Sequence, residues 1–120
     1  MNFDEIRRAI AEGNTSLGIE LGSTRIKSVL VGPDCQPLAT GEFQWENQRR
    51  DGLWTYDLAD AVRGVQESYA SLAARVREKY GEPLRRVGAL GISGMMHGYL
   101  AFDKDGNQLS FFHTWRNTHA

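Results

Sequence analysis

At Ser16 the apolar residues of this chain change their period. Leu17, Ile19 and Leu21 alternate with Gly18 and Glu20, and after the short polar turn Gly22-Ser23-Thr24 comes the run Ile26-Lys27-Ser28-Val29-Leu30-Val31. A period of two belongs to extended backbone, whose side chains point to opposite faces in turn, so both runs read as strands and the short turn folds them into a hairpin. Gly32-Pro33-Asp34 is a further turn, and Leu38 to Trp45 reads as a third strand whose bulk is Leu38, Phe43 and Trp45. The expected result is a meander of three antiparallel strands.

Helical spacing flanks this meander on both sides. Phe3, Ile6, Ala9 and Ile10 share one side of a helix over residues 3–12, which Asn2 caps and Gly13 stops, so residues 1–14 read as an N-terminal helical extension. The longer helix starts behind Asp57 as N-cap, with Asp60 at its third position, and carries Leu58, Val62, Val65, Tyr69, Leu72 and Val76 at spacings of four and three. Gly64 inside it costs about 1 kcal/mol against alanine, which packing of the stripe offsets. Gly81 and Pro83 end the helix. Val87 to Ile92 then reads as a buried strand and Tyr99 to Phe102 as a following one, with a turn at Asp103-Lys104-Asp105-Gly106-Asn107 before Phe111-Phe112. No repeat, low-complexity tract or linker interrupts the order of three strands, a helix, and two or three short strands.

A chain of 120 residues holds one core at most. Its 41% apolar and 24% charged residues are ordinary for a globular protein, and a formal charge of −1 gives no electrostatic reason to expect nucleic acid or a membrane as partner. Cys35 is the only cysteine, which excludes an intrachain disulfide and a cysteine metal cluster and suits a reducing cytoplasm. Asp4, Glu5 and Glu12 interrupt the opening residues, so no signal peptide is expected, and no later stretch is apolar enough to span a bilayer. Phe111, Phe112 and Trp115 crowd the C-terminal end with little sequence left to cover them, as expected of a piece of a longer chain.

Two short segments carry chemistry. In Leu17 to Thr24 a carboxylate, Glu20, stands at the end of a strand just before a small, hydroxyl-bearing turn. Successive amides at Gly22, Ser23 and Thr24 can form an anion-binding concavity, the hydroxyls add donors, and Glu20 can face a phosphate-bound magnesium through water. From the residues alone an ordinary hairpin turn beside a solvated Glu20 is the simpler reading, since short Gly/Ser turns are common in hairpins, and the spacing is not that of a P-loop. In Gly91-Ile92-Ser93-Gly94-Met95-Met96-His97-Gly98, small residues surround two methionines and a histidine just past a strand, where open α/β sheets admit ligands. Met95 stands where an esterase elbow needs glycine, which argues against Ser93 as a nucleophile. His97 can donate to a substrate hydroxyl or be a core histidine satisfied by backbone. Asp103-x-Asp105-Gly106 lacks the remaining ligands of a calcium loop and reads as a hairpin turn.

Taken in order, these segments resemble the N-terminal domain of the FGGY family of carbohydrate kinases, most closely its xylulose kinase branch, from about Ser16 onward. Glu20-Leu21-Gly22-Ser23-Thr24-Arg25-Ile26-Lys27 resembles the family's opening acidic residue, phosphate turn and lysine-bearing strand. Ser93-Gly94-Met95-Met96-His97-Gly98 is similar to its Ser-Gly-Gln-Met-His-Gly motif, and Trp115-Arg116-Asn117 to its Trp-Asn-Asp motif. Glu20 departs from the family's aspartate, Met95 from its glutamine and Asn117 from its aspartate, which suggests a distinct branch.

The resemblance implies an α/β, ribonuclease-H-like (actin-like ATPase) N-terminal domain that is incomplete, with residues 15–120 forming part of the kinase's first domain and the second lobe absent. It implies ATP and Mg2+ as cofactors, with Glu20, Gly22, Ser23, Thr24 and Lys27 at the phosphates and Glu20 reaching magnesium through water. Met96, His97, Trp115, Arg116 and Asn117 would line the pocket for a small-molecule sugar. The general base is expected beyond Ala120, so residues 1–120 alone are expected to be inactive, and a homodimer is open to such a fragment. The rival expectation is a non-catalytic sugar- or partner-binding module derived from the kinase fold. An actin-like ATPase without a sugar is a third, against which His97 and the Trp115 to Asn117 cluster argue.

Overall fold

The computed structural model describes residues 1–95 and 98–114. The chain opens with α1 (Phe3–Glu12), where Asn2 Oδ1 accepts the Glu5 amide at 2.9 Å while the Glu5 carboxylate accepts the Asn2 amide, a reciprocal cap that satisfies two helix-end donors. Ile10 is almost wholly buried in the main core, so this first helix is docked on the domain, tied further by an Arg7–Glu82 ion pair at 3.1 Å.

The expected meander is present as β1 (Ser16–Leu21), β2 (Arg25–Val31) and β3 (Pro37–Gln44). The pairing of β1 with β2 runs from Ser16 opposite Val31 to Leu21 opposite Ile26, and β2–β3 carries an irregularity at Leu30/Val31. Then follow β4 (Gln48–Arg50), β5 (Leu53–Thr55), α2 (Leu58–Tyr80) and β6 (Ala89–Ser93). The last strand returns parallel to β1, giving a mixed sheet in the order β3-β2-β1-β6, with β4–β5 as a separate hairpin.

The core lies between this sheet and α2. The buried row of the helix is Gly64, Ser68, Leu72, Val76 and Tyr80, while Val62 is 53% exposed, a correction to the expected stripe. The row is set by how closely the helix lies on the strands. A Cβ at Gly41 would overlap the Ser68 carbonyl and the Leu72 amide, and one at Gly64 would overlap Ile26 and the Phe43 ring. Between these two contacts the buried hydroxyls of Ser28 and Ser68 lie 2.7 Å apart and satisfy each other.

The two edges of the sheet differ. On β3 the Leu38 carbonyl accepts from Tyr80 Oη at 3.0 Å and Lys79 Nζ at 3.4 Å, and the Thr40 carbonyl accepts from Arg75 at 2.9 Å, so side chains of α2 occupy that edge. On the other side β6 was expected to be a buried strand from Val87 to Ile92, but it starts at Ala89 and is exposed at every position. Leu90 and Ile92 pair beside Leu17 and Ile19 on the core face, yet α2 covers β1 to β3 and does not reach them. The further strands expected near Tyr99 and Phe111 reduce to two isolated bridges, Tyr99 with His113 and Phe102 with Gln108.

Candidate functional site

Because β1 and β6 are parallel and in register, with Glu20 opposite Ser93, both deliver their following segments to one border of the sheet. The Gly22–Thr24 turn leaves β1 there, and the segment starting at Gly94 leaves β6 beside it. Carboxyl ends of neighbouring parallel strands are where an α/β sheet offers a crevice to ligands.

The turn is held by all three of its carbonyls. Trp45 Nε1 donates to the Gly22 carbonyl at 2.8 Å, the Tyr56 hydroxyl donates to the Ser23 carbonyl at 2.6 Å, and the Trp45 amide donates to the Thr24 carbonyl at 3.1 Å. The Gly22 amide closes the turn by donating to the Arg25 carbonyl at 2.9 Å, which removes it from the anion-binding amides expected at Gly22, Ser23 and Thr24. Glycine is needed there, since an added Cβ would stand 2.9 Å from the same Arg25 oxygen. Among the described residues the Ser23 and Thr24 amides have no acceptor.

Glu20 and Lys27 sit directly opposite each other on the face of the sheet away from α2, and neither forms an ion pair with a described residue. They line a shallow groove of about 380 Å³ with Gly18, Val29, Gly91 and Ser93. On the opposite face, beside the start of α2, is an apolar cavity of about 410 Å³ walled by Leu21, Trp45, Tyr56, Ala61, Met95 and Phe112. The turn lies between the two.

The structure thus brings together Glu20, Gly22, Ser23, Thr24 and Lys27. Met96, His97, Trp115, Arg116 and Asn117 lie outside the described residues. Sequence reasoning missed Tyr56 and gave Trp45 only an apolar role. The available signal was the polar tip on each aromatic, since a buried indole N–H or phenol must find a partner. Among the described residues no cluster of His, Cys, Asp and Glu forms a metal site, which leaves Glu20 as a lone carboxylate. No helix in the described residues is long and apolar enough to cross a membrane.

This mixed sheet, with its antiparallel meander, parallel fourth strand and covering helix, is the fold of the N-terminal domain of sugar kinases. Among solved structures, a xylulose kinase from Brucella ovis matches at TM-score 0.70 and 21% identity, over 87% of this chain and 21% of its own. A ligand-bound xylulose kinase and a gluconate kinase, both from Lactobacillus acidophilus, each match at TM-score 0.67 and 22% identity, over 84% of this chain and 19% of their own. The chain therefore spans about a fifth of the length of these kinases. No family model and no curated protein sequence matches it.

Proposed function

We propose that this chain carries part of the phosphate and sugar sites of an ATP-dependent carbohydrate kinase of the FGGY type, acting in the cytoplasm on a sugar or sugar-like polyol. The observation behind this reading is the pair of amides at Ser23 and Thr24 that have no acceptor among the described residues, on the same sheet border as the Gly94 segment. Two amides and two hydroxyls make a donor set suited to a polyanion, and the Glu20 carboxylate suits a hydrated Mg2+, so the residues present fit MgATP. When bound, MgATP supplies the phosphoryl group.

In this reading Ser23 and Thr24 donate to phosphate oxygens, Lys27 adds positive charge across the groove, and Glu20 accepts hydrogen bonds from water on the metal. Met96, His97, Trp115, Arg116 and Asn117 orient the sugar. Transfer to a hydroxyl also needs a base and exclusion of water. We assign both to residues past Ala120, and expect residues 1–120 alone to phosphorylate no sugar.

The test has two parts. Titrating the chain with MgATP by amide NMR should move the Ser23 and Thr24 signals. The product of the coding sequence read past Ala120 should release ADP in the presence of one member of a panel of ketoses, aldoses and polyols. A longer product that binds sugar without consuming ATP would instead establish a non-catalytic module. Met95 favours that second reading, since it presents a thioether to the apolar cavity where the kinase motif has a glutamine to hydrogen-bond its ligand.

A further inference from the structure

We infer that Trp45 and Tyr56 are the positioning residues of the phosphate turn, an inference that rests on the reading of Ser23 and Thr24 as phosphate donors. In a trans peptide the C=O and N–H of one plane point in opposite directions. Pulling the Gly22 carbonyl toward the Trp45 indole therefore turns the Ser23 N–H away from the protein, and pulling the Ser23 carbonyl toward the Tyr56 hydroxyl does the same for Thr24. The side chains thus act on the two peptide planes whose amides are left without a described acceptor.

Both braces are buried and packed against each other. Trp45 and Tyr56 are 9% and 4% exposed, and their rings lie against each other at 4.2 Å between centroids. Phe112 meets Tyr56 edge-on at 5.7 Å, and Asn47 Nδ2 donates to the Tyr56 hydroxyl at 3.1 Å, polarising it as a donor to Ser23. The same two rings wall the apolar cavity, so one pair of side chains shapes the cavity with its faces and the turn with its polar tips. Donors fixed in advance cost no reorganisation when an anion arrives, which is where such a brace gains affinity.

The experiment is a titration of the chain with inorganic pyrophosphate, followed by amide and carbonyl NMR, for wild type, Tyr56→Phe and Trp45→Phe. In wild type the Ser23 and Thr24 amides should move. Losing one oriented hydrogen bond in Tyr56→Phe should weaken pyrophosphate by about fivefold and shift the Ser23 carbonyl carbon, with the β1–β2 amides still protected from exchange. Equal affinity in wild type and in a folded Tyr56→Phe would overturn the brace and leave the phosphate site standing. Wild-type Ser23 and Thr24 signals that ignore pyrophosphate would overturn the phosphate site, and the brace with it. A measurement independent of variant folding is the scalar coupling across the hydrogen bond from Trp45 Nε1 to the Gly22 carbonyl carbon. It should be present in wild type, and its absence would overturn the brace.

Discussion

Two missing methyl groups, at Gly41 and Gly64, decide how close α2 lies to the sheet. At Gly41 the obstacle is helix backbone, which cannot move aside, whereas at Gly64 it is the end of Ile26 and the Phe43 ring. Gly41→Ala should therefore cost about 3 kcal/mol. Gly64→Ala gains about 1 kcal/mol of helix propensity and loses more to overpacking, for a net loss of about 1 kcal/mol. Urea unfolding midpoints should rank wild type above Gly64→Ala and Gly64→Ala above Gly41→Ala. A different single-residue effect is set by charge. The Asp103 carboxylate accepts from the Asn107 amide and side chain, with a smaller share from Asp105 and Gly106, and these hydrogen bonds hold its pKa below the ordinary 3.8. A depressed acid favours the folded turn above the unfolded pKa and loses that contribution as pH falls through the folded value. Carbon-detected titration should accordingly place the Asp103 midpoint below 3.8, and the Asn107 amide should move with it. That Glu20, the Gly22–Thr24 turn and Lys27 come together was legible in the sequence because one short hairpin holds them all. Trp45 and Tyr56 were not, because what they brace lies 23 and 33 positions away along the chain.

Elements were legible where a cap and a period agree. Both helices start at their expected side-chain caps and stop at glycines in the left-handed region, and the three-strand meander follows from the alternation at Leu17, Ile19 and Leu21. The β4–β5 hairpin was missed although Asp51-Gly52 turns it, with φ of 49° and 78°, the pair of positive angles that a tight hairpin demands. Its strands are too short to show a period. The buried strand expected at Val87 failed for another reason. Apolar content is a statement about what a strand suits, and burial needs a second layer that α2 is too far away to supply. For α2 itself the cap is a testable contribution. Asp57 accepts the Ala59 amide at 2.9 Å, so Asp57→Ala should cost about 1 kcal/mol, read as a lowered urea midpoint with unchanged slope.

Across the whole molecule the chain is extended for its length. Its radius of gyration is 17.1 Å, where a closed domain of this size measures about 14 Å. Leu90 and Ile92 stand 57% and 66% exposed on a strand that carries no charge and no proline to discourage pairing. We expect the isolated chain to self-associate along β6, and Ile92→Lys to return it to monomer by light scattering. Association unchanged by that lysine would place the contact elsewhere. The occupied edge of β3 then decides what kind of assembly can form. A sheet whose two borders were both bare could add copies without limit and grow into a fibre. Here Arg75, Lys79 and Tyr80 stopper one border, so two copies joined at β6 present only stoppered borders to the solvent. Strand addition ends at a closed pair.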